Sequence, residues 1–385
     1  MKPFRIFNIV GARPNFMKIA PLLAEMRRHP ELSPVLVHTG QHYDYEMSQV
    51  FFDQLGVPQP DYNLDVGSGT HHAQTAEVMK RFGELVERDR PDLIVVVGDV
   101  NSTLACALVA AKEMIPLAHV EAGLRSFDRG MPEEVNRVVT DAVSDLLFTT
   151  EESGGVNLRR EGVAENKIFF VGNVMIDSLV RGLESARQSP LVKRLGLPEK
   201  GFALLTLHRP SNVDDPSRLR GILDVIADIA RRLPVLFPVH PRTAVKVAEV
   251  GISNMKSWNG ASAISSPEIW TMAPAAYLDF IGMVERAALV ITDSGGIQEE
   301  TCYLGVPCLT LRANTERPVT LSAGTNRLVG TEPENLRREA LGMLDKMNSG
   351  NAAEPPSSRP PLWDGHTSGR IVKILVEFLQ KRDAG

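Results

Sequence analysis

Cysteine is scarce: Cys106, Cys302 and Cys308 are three among 385 residues, odd in number and without a CxxC spacing. Neither a disulfide framework nor a zinc ribbon is indicated, and a reducing compartment suits the chain best. Long apolar runs are missing as well. No stretch approaches the ~18 residues that a membrane span needs, and the short apolar start lacks the core and cleavage site of a signal peptide. A cytoplasmic protein without a membrane partner is expected. There is no basic excess either: the formal net charge is -5, which argues against nucleic acid, whose phosphates call for a basic stripe. Familiar catalytic signatures fail in the same way. HExxH, a P-loop lysine motif and a nucleophile elbow are all absent. The run from Gly67 to His72 comes nearest to a dinucleotide fingerprint, but it follows no strand and lacks the third glycine. No NAD or other cofactor is therefore expected, and His71-His72, with no convincing further ligands, predicts no metal site.

What the chain does contain is an alternation. At 385 residues, 43% hydrophobic and 23% charged, it is longer than one core usually grows, so two domains are expected. Residues 5–10, 34–39, 93–97, 116–120, 145–148 and 168–171 are short apolar runs that read as buried parallel strands, each followed by a loop and a helix. This α/β pattern predicts a doubly wound, Rossmann-like parallel sheet whose ligand crevice lies at the carboxyl ends of the strands. After Gly172-Asn173 the pattern restarts, with strands at 202–206, 235–239, 289–291 and 308–311 and a helix over 216–232. The expected division is a first Rossmann-like domain over 1–173 and a second over 174–365, with 366–385 carrying a helix near 371–381. The region of Gly201 and residues 348–361 read as linkers.

The residues suited to chemistry collect at the predicted strand ends. Asp293-Ser294-Gly295-Gly296 forms a tight turn between a strand and a helix, with Ser294 at the N-cap position. Its glycines leave amides bare at a positive helix terminus, which suits a phosphate; an ordinary capped helix has the same pattern. Glu300 falls within the first two turns, where a carboxylate can accept bonds from ribose hydroxyls. Arg317, in Thr315-Glu316-Arg317-Pro318, offers five donors to an anion or to an ion pair within its own loop. In the first domain, Gly11-Ala12-Arg13-Pro14 and the following Lys18 place two cations near the crevice, or simply begin a basic, solvated helix. Asp99 and Glu121 end successive buried strands, and Glu133-Glu134 open a helix after Pro132. Each alone can be a cap or an ion pair. Together they suggest acid–base chemistry, and a carboxylate so poorly solvated is expected to have a raised pKa. His208 can donate to a phosphate or shuttle a proton, and His240 holds the equivalent place on the next strand; either can equally be a packed, hydrogen-bonded group.

In this order and spacing the residues resemble one family closely, the non-hydrolysing UDP-N-acetylglucosamine 2-epimerases. The shared motifs are Gly11 to Lys18, Gly40-Gln41-His42, Gly98 to Thr103, His119 to Arg125, Met131 to Arg137, Gly172-Asn173, His208-Arg209, Thr292 to Glu300 and Thr315 to Pro318. They cover nearly the whole chain. The resemblance implies a GT-B-like pair of domains with the active site in the interdomain cleft, the terminal helix packed back on the first domain, and usually a homodimer. It implies interconversion of UDP-N-acetylglucosamine and UDP-N-acetylmannosamine for bacterial polysaccharide precursors. Asp99, Glu121, Glu133 and His208 carry over as the catalytic group. Arg13, Lys18, Ser294, Gly295, Gly296, Glu300 and Arg317 carry over as substrate-binding, with Ala275 and Phe280 near the uracil. The family often has glutamine where Ala275 stands, which leaves the backbone to make that contact. Gln41, His42 and His240 lie in motifs that in some bacterial members bind a second substrate molecule as activator.

Four rivals stand beside this expectation: a GT-B glycosyltransferase, an epimerase for a modified sugar such as a UDP-diacetamido-uronic acid, a hydrolysing epimerase, and a nucleotide-sugar binder without activity. The carboxylate group favours an epimerase, since proton exchange at a sugar C2 needs bases that a transferase can omit.

Overall fold

Residues Leu93–Val97 read LIVVV, and all five are buried. A strand with apolar side chains pointing both ways needs cover on both faces, which helices on either side of a parallel sheet provide. The computed structural model, which describes residues 2–41, 56–252, 254–349 and 359–384, divides into two compact units, one of 1–181 with 361–385 and one of 182–360.

In the first unit the strands are β1 (Phe4–Val10), β2 (Leu32–His38), β3 (Tyr62–Asn63), β4 (Leu93–Val97), β5 (Leu117–Ala122), β6 (Leu146–Thr149) and β7 (Ile168–Phe170). They lie in the order β3-β2-β1-β4-β5-β6-β7, every neighbouring pair parallel. The helices are α1 (Arg13–Met26), α2 (His71–Arg88), α3 (Asn101–Lys112), α4 (Pro132–Val143), α5 (Glu152–Arg160) and α6 (Val174–Arg187). Alternation along β4 assigns the two faces: Val95 and Val97 pack with Ile19, Leu22 and Met26 of α1, while Ile94 and Val96 pack with Phe82 of α2 and Ala105 of α3. Strand order reverses between β1 and β4, so the loops after these two strands border the crevice that such a sheet offers a ligand.

The second unit repeats the plan. Its strands are β8 (Ala203–Thr206), β9 (Val235–Pro238), β10 (Met255–Ser257), β11 (Ile269–Met272), β12 (Leu289–Thr292), β13 (Cys308–Thr310) and β14 (Asn326–Leu328). The order is β10-β11-β9-β8-β12-β13-β14, again all parallel. Its main helices are α7 (Pro190–Leu195), α8 (Pro216–Ala230), α9 (Pro241–Val250), α10 (Tyr277–Arg286), α11 (Gly295–Leu304) and α12 (Pro333–Asn348). Here the reversal falls between β8 and β12. Strands β3, β10, β11 and β14 have no counterpart among the strands expected from sequence. Three of them are two or three residues long at or near a sheet edge, too short to show a period, and β11 is only half-buried at its centre.

The last helix, α13 (Thr367–Asp383), belongs to the first unit. Its Ile371, Val372, Leu375 and Leu379 join the core that α1 covers, and Asp177 of α6 accepts from the amides of Thr367 at 3.0 Å and Ser368 at 2.6 Å. Those are orphan donors of its first turn. Ahead of it, buried Trp363 donates through Nε1 to the Thr150 carbonyl at 3.0 Å. The pattern restart places the division at Gly172-Asn173, but it falls inside α6, because Val174 of that helix still packs into the first unit's core. No helix among the described residues is long and apolar enough to cross a membrane.

Candidate active site

Gly11 ends β1 where nothing larger fits: a Cβ would stand 2.2 Å from Ser102 Oγ and 2.8 Å from Thr39 Oγ1. The Asn15 carboxamide then ties this loop to β4. Its oxygen accepts from the amides of Gly11 (3.1 Å) and Ala12 (3.0 Å), and its nitrogen donates to the Val97 carbonyl at 3.0 Å. Arg13 is the first residue of α1, and Lys18 lies one turn on, buried, with its ammonium in an ion pair with Glu121. Gly98, after β4, has φ +68, and a Cβ on it would come within 2.8 Å of Lys18 Nζ.

Glu121 is buried at the end of β5 with φ +76, where the register with β6 shifts between Val120 and Ala122. A left-handed conformation is costly for a residue with a Cβ, and together with the bulge it re-aims the side chain. Asp99 is different. Its side chain is 27% exposed and is met by Arg137 Nη1 at 2.5 Å. Glu133 is half-buried in the first turn of α4. Two of the three expected acid–base carboxylates are thus answered by cations rather than standing desolvated and alone, because α1 and α4 each turn a basic residue toward a neighbouring strand end. A carboxyl whose pKa is pushed up lies in the other unit.

That group is Glu300. Buried in α11, it rises to about 8, chiefly by desolvation and then by the charge of Glu299, with the Tyr277 hydroxyl opposing. Glu299 pairs with Arg317 Nε at 2.7 Å, and Arg317 also meets Glu316 at 3.5 Å. Arg312 pairs with Glu316 at 2.7 Å. Burial works against the charge on Glu316, but Arg312 and Arg317 hold its carboxyl far below the usual range. Arg317 is therefore a buried, doubly paired guanidinium rather than an open five-donor fork. Its Nη1 would lie 2.8 Å from a Cβ at Gly295, while a Cβ at Gly296 would meet nothing within 4 Å. One glycine admits the guanidinium, and the other opens the helix start.

Ser294 occupies the N-cap of α11, yet its hydroxyl makes no capping bond; the expected side-chain cap is absent, and the first amides of the helix stay uncapped by it. Asp293 organises what surrounds it. Fully buried, it accepts from the amides of His208 (3.1 Å) and Arg209 (2.9 Å), from Asn212 Nδ2 (3.1 Å) and from His208 Nδ1 (2.8 Å). Burial alone would raise its pKa, but these donors keep it lowered, His208 foremost. Engaged through Nδ1 by Asp293, the His208 ring is half-exposed. Ala275, in the loop after β11, and Phe280, on α10, are partly buried against the core that includes Leu204 and Val290.

The remaining candidates do local work. Gln41 Oε1 accepts from the Ser102 amide at 3.1 Å and its hydroxyl at 2.7 Å, capping α3. His240 is the exposed N-cap of α9, its Nδ1 accepting weakly from the Arg242 amide at 3.4 Å. His42 lies outside the described residues. The motif from Met131 to Arg137 names the start of α4, but the sequence assigned no role to its polar side, where Glu134, Asn136, Arg137 and Asp141 are buried. Glu134 accepts from the amides of Ser126 and Phe127, both at 2.9 Å, and Arg137 joins Glu134 at 2.8 Å to Asp99. A signal was available: charges at 134, 137 and 141 recur at the spacing of one helix face.

A family model described as UDP-N-acetylglucosamine 2-epimerase matches residues 24–376. A UDP-N-acetylglucosamine 2-epimerase of Methanocaldococcus jannaschii is 41% identical over 373 residues, 96% of this chain and 98% of that protein. A UDP-2,3-diacetamido-2,3-dideoxy-D-glucuronate 2-epimerase of Pseudomonas aeruginosa is 40% identical over 346 residues, 89% of this chain and 93% of its own. The crystal structure of the M. jannaschii UDP-GlcNAc 2-epimerase in complex with UDP-GlcNAc and UDP is similar at a TM-score of 0.83 and 39% identity, covering 97% of this chain and 100% of that one. The fold and these likenesses agree, and the chain belongs to the UDP-N-acetylglucosamine 2-epimerase family.

Proposed function

We propose that the chain converts UDP-N-acetylglucosamine reversibly to UDP-N-acetylmannosamine by eliminating and re-adding UDP through a 2-acetamidoglucal intermediate. The observation that carries this reading is Glu121, a buried carboxylate at a strand end, aimed by a left-handed backbone and paired with Lys18. Such a group suits proton transfer at a carbon that water alone would not deprotonate. The C1–O bond breaks first, its electron pair passing to the diphosphate oxygen. The cationic C1 acidifies C2–H, a carboxylate takes the proton, and the C–H pair closes the C1=C2 bond. Return of UDP to C1, with a proton delivered to the other face of C2, inverts that centre.

Each residue has a place in this scheme. The amides at Ser294 to Gly296, with Arg317, Arg13 and His208, stabilise the departing diphosphate, a charge that develops as the bond breaks. Glu300 takes the ribose, and Ala275 through its backbone and Phe280 through its ring border the uracil. Asp99, Glu121 and Glu133 share the proton steps, and Lys18 pairs with Glu121. A cytoplasmic homodimer supplying bacterial surface polysaccharide precursors completes the proposal. The P. aeruginosa relative favours one second reading, an epimerase for a diacetamido-uronic acid nucleotide.

The test is isotopic. UDP-N-acetylglucosamine in deuterated water, without acceptor or NAD, is expected to gain deuterium at C2 and yield the manno epimer. No exchange by folded protein sinks the reading, and free sugar as product replaces it with the hydrolysing reaction. Exchange confined to the diacetamido-uronate nucleotide selects the second reading.

A further inference from the structure

We infer that His119 and Asp141 are positioning residues, a buried imidazole–carboxylate strut that fixes Asp99 and Glu121 relative to each other. The inference rests on the reading above, in which those two carboxylates handle protons. His119, fully buried on β5, places Nδ1 2.6 Å from Asp141 Oδ1 and Nε2 2.9 Å from the Gly98 carbonyl. Both are acceptors, so an N–H on either ring nitrogen meets a partner. One edge grips the residue before Asp99. The other grips α4.

Asp141 acts in both directions. Its Oδ1 takes the His119 ring, two residues before Glu121, and its Oδ2 accepts from the Gly123 amide at 3.0 Å, two residues after. The left-handed residue at Glu121 is thus bracketed by a single carboxylate, a restraint that its strained backbone requires. Arg125 closes on Asp141 Oδ2 at 2.7 Å and is held in turn by Glu161 at 2.6 Å. Burial alone would raise the Asp141 carboxyl, but His119 and Arg125 bring it below its usual range, so Asp141 stays a carboxylate that accepts from both. The same helix completes the hold on Asp99. Asn136 donates to its carbonyl at 2.8 Å and Arg137 to its carboxylate at 2.5 Å. Gly98 and Asp99 are therefore clamped at two successive carbonyls and one side chain, and the His119 clamp joins the Gly98 amide, which donates to the Val120 carbonyl at 3.1 Å, in tying that turn to the strand carrying Glu121.

Two substitutions separate positioning from packing, because each keeps one half of the ring. Asparagine reproduces the donor toward Asp141 and loses the Gly98 contact, whereas glutamine reproduces the donor toward Gly98. In the C2 exchange assay, His119→Asn is expected to lower kcat on the order of 100-fold, the effect of displacing a reacting group by about 1 Å, with KM and calorimetric UDP affinity within about two-fold of wild type. His119→Gln is expected to recover to within about ten-fold of wild type. Equal losses in the two variants, losses that follow Tm, or an undiminished His119→Asn overturn the inference alone. If His119→Asn does not fold, Asp141→Asn gives the same reading: a fall in kcat at unchanged KM supports the strut, and wild-type kcat overturns it. A wild-type chain that exchanges no C2 proton removes the functional reading and the inference with it.

Discussion

Glu300 shares the buried start of α11 with Glu299, whose charge Arg317 already answers. With its pKa pushed up to about 8, it keeps in the folded chain a proton that the unfolded chain gives up near pH 4.5. Between those values the folded state binds more protons, so stability falls as pH rises through the window and levels off above about 8. Glu300→Gln is expected to stabilise the unliganded protein at pH 8 by at least about 1 kcal/mol, a few degrees in Tm, with the gain vanishing near pH 4.5. Thermal unfolding at pH 5 and pH 8 checks this; equal effects at the two values sink it. The position of Glu300 was legible, since a strand, a glycine turn and a helix write themselves locally. The partners of the carboxylates proposed to handle protons, and of the histidine between them, were not. His119 meets Asp141 across 22 positions and Arg137 meets Asp99 across 38, and pairings of that range belong to tertiary packing rather than to any local pattern.

Among elements, the turns that leave the strands matter most, because they combine tight geometry with charged neighbours. Gly98 has both constraints at once: a positive φ that costs an L-residue about 1 kcal/mol, and the Lys18 ammonium where a Cβ would go. Gly98→Ala is expected to lower Tm by a few degrees and to lower C2 exchange by more than the lost folded fraction, because Lys18 is pushed off Glu121. Wild-type exchange at reduced Tm would show that this ion pair is dispensable. The strands that frame these turns could be read from sequence where burial on both faces makes them continuous, as in Leu93–Val97. Met255–Ser257 could not, since three residues with two exposed display neither length nor period.

At the scale of the molecule, the first unit is made from both ends of the chain and the second from its middle. Ile371, Val372, Leu375 and Leu379 of α13 are buried in the first unit's core. At about 1.5–3 kcal/mol for each buried aliphatic side chain, their sum rivals the whole stability of a domain, about 5–15 kcal/mol. A chain stopped after Pro360 is therefore expected to lose native structure in its N-terminal unit. Hydrogen exchange gives the readout: amides of β1 and β4 lose protection, while those of β8 and β12 keep theirs. Loss in the second unit instead would refute the assignment of α13 to the first.

Such a layout also fixes an order of events during synthesis. The ribosome delivers residues 1–181 ahead of the second unit, yet Trp363 and α13, which complete the first, come after it. The second unit, continuous in sequence, has all its strands before then. The first unit is begun before the second and finished after it, and until the final turn of α13 leaves the exit tunnel the part of the apolar surface that α13 covers stays bare, a face for a chaperone to hold.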